Sequence, residues 1–70
     1  LYPNPATDKF TIISNADEIV IYNIFGIKVK EEKLDANKNT IIRGKLANGL
    51  YFYSLYKDEK CVNSGKIILK

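Results

Sequence analysis

Seventy residues with 46% hydrophobic side chains, 27% charged side chains and a formal net charge of +3 suit one small globular domain and exclude the disordered class. A chain of this size buries only about 60% of the surface its unfolded form exposes. Its stability is therefore thin, roughly 3–10 kcal/mol at ~0.05–0.15 kcal/mol per residue.

Strand signals recur at short spacing, each bounded by turn-favouring residues, and no window carries a convincing 3.6-residue apolar period. Lys9 to Ser14, rich in β-branched residues, is a first strand, closed by the turn Asn15-Ala16-Asp17. Glu18 to Ile24 is the second, with Ile19 and Ile21 on one face and Val20 and Tyr22 on the other. Gly26 supplies the backbone freedom for a hairpin, and Ile27 to Lys33 returns with one wet side. Asp35 to Asn39 reads as a polar loop and Thr40 to Arg43 as a short fourth strand.

The Asn48-Gly49 pair tolerates positive φ and launches a central strand from Leu50 to Lys57. On it Tyr51, Tyr53 and Leu55 face the core, which leaves Phe52 and Tyr56 as an exposed aromatic pair. Lys57 to Lys60 closes a hairpin, and Cys61 to Lys70 is one long terminal strand with a bulge expected near Asn63-Ser64-Gly65. The expected fold is all-β, a small immunoglobulin-like antiparallel β-sandwich of six to seven strands, because a single sheet would leave one apolar face in water. A small closed barrel is the alternative.

The residues argue against most chemistries. Histidine is absent, which removes the commonest general base and metal ligand. Cys61 is the only cysteine, so no internal disulfide and no multi-thiolate metal site is expected, and it reads as a small apolar strand residue. Ser14, Ser54 and Ser64 have no recognisable base, and the carboxylate pairs Asp17-Glu18, Glu31-Glu32 and Asp58-Glu59 sit beside lysines as solvated charge. A calcium loop at Asp35 to Asn39 is weakened by Lys38 within it. The glycines stand singly at 26, 44, 49 and 65, so no phosphate cradle forms. No cofactor, catalytic residue or metal site is expected.

Both charge signs are mixed along the chain and Arg43 is the only arginine, a pattern of solvated surface that does not fit a nucleic-acid stripe. The longest apolar runs, Ile19 to Tyr22 and Leu50 to Tyr53, are far too short for a transmembrane helix. Residue 1 is not Met and no signal peptide follows it, so the chain reads as a single domain, residues 1–70, cut from a larger secreted protein.

Four elements stand in order along nearly the whole chain. They are Tyr2-Pro3-Asn4-Pro5-Ala6 with Phe10-Thr11-Ile12, then Ile21-Tyr22-Asn23-Ile24-Phe25-Gly26, then Leu46-Ala47-Asn48-Gly49-Leu50-Tyr51, and finally Lys66-Ile67-Ile68-Leu69-Lys70. Together they resemble the type A C-terminal sorting domain of the type IX secretion system. Asn23 stands where that family often carries Asp, and Ile27 where a basic residue is frequent. The resemblance implies a label that directs a cargo protein across the outer membrane by way of the periplasm, to be removed by a surface sortase. Its implied partners are the outer-membrane shuttle protein, the translocon and the sortase, in Bacteroidota. The carriers of recognition are then expected in Gly49, Tyr51, Gly65, Lys66, Ile67, Ile68, Leu69 and Lys70, with an open sheet edge available for strand addition or for a weak homodimer. A second reading of the residues is an immunoglobulin-like adhesion or carbohydrate-binding module using Tyr22, Phe52, Tyr53 and Tyr56.

Overall fold

The computed structural model describes residues 8–35 and 37–70, with the side chains of Asn37 and Lys38 left aside. The Tyr2 to Ala6 motif lies outside the described residues. Six strands follow one another as β1 (Lys9–Ser14), β2 (Glu18–Tyr22), β3 (Lys28–Lys33), β4 (Asn37–Ile42), β5 (Gly49–Lys57) and β6 (Lys60–Leu69), and no helix occurs among the described residues. They form a two-stranded sheet, β1-β4, and a four-stranded sheet in the order β3-β2-β5-β6, antiparallel throughout. The chain changes sheet after β1, after β3 and after β4. This is the expected small β-sandwich.

Period-two alternation decides what goes between the sheets. Phe10 and Ile12 of β1 and Ile41 of β4 meet Ile19 and Ile21 of β2, Tyr51 and Leu55 of β5, and Ile67 and Leu69 of β6 in one core cluster. Two strands cannot cover four, because strands lie only about 4.8 Å apart. The inward row of edge strand β3 is accordingly polar: Lys30 stands opposite Ile21 and Glu32 opposite Ile19, joined by an ion pair at 3.5 Å. Ala16 and Leu34, in the connections at the far end, close the core there. Leu34 N–H donates to Asp17 O (2.9 Å), and Asp17 N–H to Tyr56 O (2.8 Å).

The structure departs from the sequence reading in three places. β2 ends at Tyr22 rather than Ile24, because Asn23 starts a tight turn. The segment read as a polar loop contains the first half of β4, which begins at Asn37. Asn39 caps what remains of that loop, accepting from Asp35 N–H at 2.9 Å and donating to Asp35 O at 2.8 Å. The bulge expected at Asn63 to Gly65 falls instead where Leu55 pairs Asn63 and Tyr56 pairs Cys61, leaving Val62 as the extra residue. Gly65 is in regular register opposite Tyr53.

Candidate functional site

The elements that the family resemblance singles out near the end of the chain converge at one corner of the sandwich. Gly49 opens β5 at φ +146°, a region closed to side-chain-bearing residues, and turns the chain from the 43–48 connection into the sheet. Two residues on, the Tyr51 ring is buried in the core while its hydroxyl donates to Ala47 O at 2.7 Å, pinning the connection against the strand. Arg43 holds the same loop from the other side. Its Nε donates to Leu46 O (2.8 Å), one terminal nitrogen donates to Asn48 Oδ1, and the other donates to the backbone oxygen of Lys70 (2.7 Å). A planar fork of donors satisfies several acceptors at once, which a lysine cannot do. Sequence reading passed over this residue. The available signal was a lone guanidinium in a chain that otherwise uses lysine.

Among the described strands β6 is the last of the four-stranded sheet, paired with β5. Of the expected recognition residues, Ile67 (1% exposed) and Leu69 (2%) point inward and, with Tyr51, are sealed in the core. Lys66, Ile68, Lys70 and Gly49 are exposed. Gly65 has a packing reason of its own: the Tyr53 ring lies across it, and a Cβ there would stand 2.7 Å from the Tyr53 hydroxyl oxygen and 2.9 Å from the ring carbons Cε2 and Cζ. The accessible part of the set is thus the outer row of β6 and the turn beside it.

That outer row continues across the sheet. Lys28, Tyr22, Phe52 and Lys66 stand side by side on β3, β2, β5 and β6, and Leu50 pairs Ile68 at the end nearest the β2–β3 turn. Leu50, Phe52 and Ile68 are each about two-fifths exposed (38%, 40% and 42%). Farther along, the hydroxyls of Tyr22 and Tyr56 hydrogen-bond beside the row of Val20 and Ser54. That bond, with partial desolvation, holds the Tyr22 pKa above its ordinary value. The opposite end of the molecule is acidic, with a shallow groove lined by Asp17, Glu18, Lys33, Leu34, Asp58 and Glu59. Among the described residues no cluster of His, Cys, Asp and Glu is arranged to hold a metal ion, and no helix is long and apolar enough to cross a membrane.

No curated protein and no solved structure matches the chain. A family model described as "Secretion system C-terminal sorting domain" matches residues 1–70, from end to end. The motifs at Ile21 to Gly26, Leu46 to Tyr51 and Lys66 to Lys70 are, in the structure, a hairpin tip, a strand entry and the final strand of one sandwich. The chain belongs to the secretion system C-terminal sorting domains, the signals of type IX secretion that send proteins to the cell surface or beyond.

Proposed function

We propose that this domain is the recognition label of a larger cargo, read through the outer side-chain row of β6 by the shuttle protein and translocon of the type IX system. On this reading the cargo passes the periplasm and the outer membrane, and a surface sortase then cuts the label away. The observation that carries the proposal is the whole-chain family match combined with the exposed Lys66, Ile68 and Lys70 on the outer row at the end of the chain. The alternating charged and apolar side chains of that row offer a partner steering and selectivity.

The test is a reporter fused ahead of this chain in a host with the system. Lys66→Glu combined with Ile68→Lys changes only exposed side chains, so the domain stays folded while the reporter is held in the periplasm. Undiminished surface delivery of that variant would overturn the reading. A second reading, glycan binding, is favoured by half-buried Tyr22 beside exposed Phe52 on the outer face. Glycan-array binding lost on Phe52→Ala would support it.

A further inference from the structure

The tip of the β2–β3 hairpin carries more apolar surface than its turn requires. Asn23 builds the turn: its Oδ1 accepts from Phe25 N–H (2.9 Å) and Ile27 N–H (3.1 Å). Its backbone N–H donates to Ile27 O (2.9 Å), and its backbone O accepts from Gly26 N–H (3.0 Å), with Gly26 at φ +80°. This is a type I turn closed by a glycine bulge, and its two central positions ordinarily take Pro, Asp, Asn or Ser. Here they are Ile24 and Phe25, 61% and 80% exposed, followed by Ile27 at 60%. None belongs to the core cluster, so folding does not explain their chemistry.

On the four-stranded sheet the charged side chains nearest this tip are lysines. On the four-stranded sheet, among the described residues, no carboxylate lies between the Val20 row and the tip, whereas Lys28 and Lys66 bracket the Tyr22–Phe52 row and Lys70 follows at the same end. Lys28 also reaches back to Glu31 at 3.3 Å, an exposed pair that exchanges readily. The carboxylates gather at the opposite pole, around Asp17, Glu18, Asp58 and Glu59.

We propose that this tip docks on an anionic lipid surface, with Ile24, Phe25 and Ile27 entering the headgroup boundary and Lys28, Lys66 and Lys70 meeting lipid phosphates. A convex apolar protrusion ringed by lysines complements a soft, negatively charged interface. A second copy of the chain is disfavoured because pairing the tips would bring the same lysines together. Single-stranded nucleic acid is disfavoured because the tip is mostly aliphatic and offers bases few rings on which to stack. The docking does not depend on which machinery reads β6.

Co-sedimentation with vesicles of phosphatidylcholine alone and of phosphatidylcholine mixed with phosphatidylglycerol tests this. The chain partitions onto the mixed vesicles and several-fold less onto the neutral ones. Raising salt from about 0.15 M to about 1 M, which shortens the screening length from about 8 Å to about 3 Å, weakens the binding. Phe25→Asp lowers partitioning about tenfold or more with an unchanged far-ultraviolet dichroism spectrum. The chain contains no tryptophan, so Phe25→Trp is a second and independent reporter whose emission moves to the blue on mixed vesicles. Failure to bind mixed vesicles overturns the proposal, as does binding indifferent to Phe25→Asp or an unshifted Phe25→Trp emission. Tip-dependent dimerisation or oligothymidine binding without vesicle binding would also overturn it.

Discussion

Gly65→Ala is the sharpest probe of how the terminal strand is held. The new Cβ would lie 2.7 Å from the Tyr53 hydroxyl oxygen and 2.9 Å from two ring carbons, where carbon atoms normally rest about 3.5–4.0 Å apart. The ring must swing off the glycine, and overpacking of this kind costs about 1–3 kcal/mol. Against it stands the intrinsic advantage of alanine over glycine in a strand, roughly 0.5–1 kcal/mol. The expected net loss is about 1 kcal/mol, read as a fall in Tm of roughly 4–8 °C for a domain of this size. Tyr53→Ala removes the obstacle, so in that background the same Gly65→Ala change should stabilise by ~0.5–1 kcal/mol. Thermal melts of the four proteins in the cycle measure this reversal of sign. If Gly65→Ala stabilises both backgrounds, the ring does not bear on the glycine and the reasoning fails.

Arg43→Lys strips the fork that serves Leu46 O, Asn48 and Lys70 O, and should cost about 1 kcal/mol in denaturant unfolding while speeding amide exchange toward the end of β6; unaltered exchange there would remove the clasp. Asp58 and Glu59 hold the two turn positions between β5 and β6 at φ 51° and 67°, where side-chain-bearing residues pay roughly 1–2 kcal/mol, so Glu59→Gly should raise stability by about 0.5–1 kcal/mol after its own entropic cost, and a lowered Tm would contradict this. Tyr22, raised above 10.0 first by its hydrogen bond with Tyr56 and then by desolvation, contributes stability that is complete below the unfolded tyrosine value and is lost as pH rises through the folded one. Tyrosinate absorbance should show one residue ionising late, and Tyr56→Phe should bring it earlier; no movement on that substitution would discount the hydroxyl pair.

Much of the fold was legible because its dominant signal, alternation of β-branched and aromatic residues between turns, is local. It placed Tyr51 and Leu55 inward, Phe52 outward and β5 in the middle of its sheet, as the register shows. The misses share a cause, which is specific side-chain chemistry that strand alternation does not carry. Asn23 ends β2 early because its amide oxygen captures two backbone donors of the turn. Gly65 read as a bulge residue because glycine in a strand suggests one, whereas its reason is a tyrosine ring on the neighbouring strand. Arg43 finds Leu46 and Asn48 close by, but its contact with the end of β6 is to Lys70, 27 residues away.

The alternation of β6 also separates two roles that a truncation would confuse. Removing residues 66–70 takes away Lys66, Ile68 and Lys70, which a partner can touch, but also Ile67 and Leu69, which are almost wholly enclosed. Each buried aliphatic is worth about 2–5 kcal/mol when cut to alanine, so losing both is comparable to the whole stability of roughly 3–10 kcal/mol available to a chain this short. A truncated cargo that fails to reach the surface would therefore report unfolding as readily as lost recognition. Substitutions confined to the outer row leave the core intact, and only their failure to be delivered speaks for a signal displayed on the folded strand.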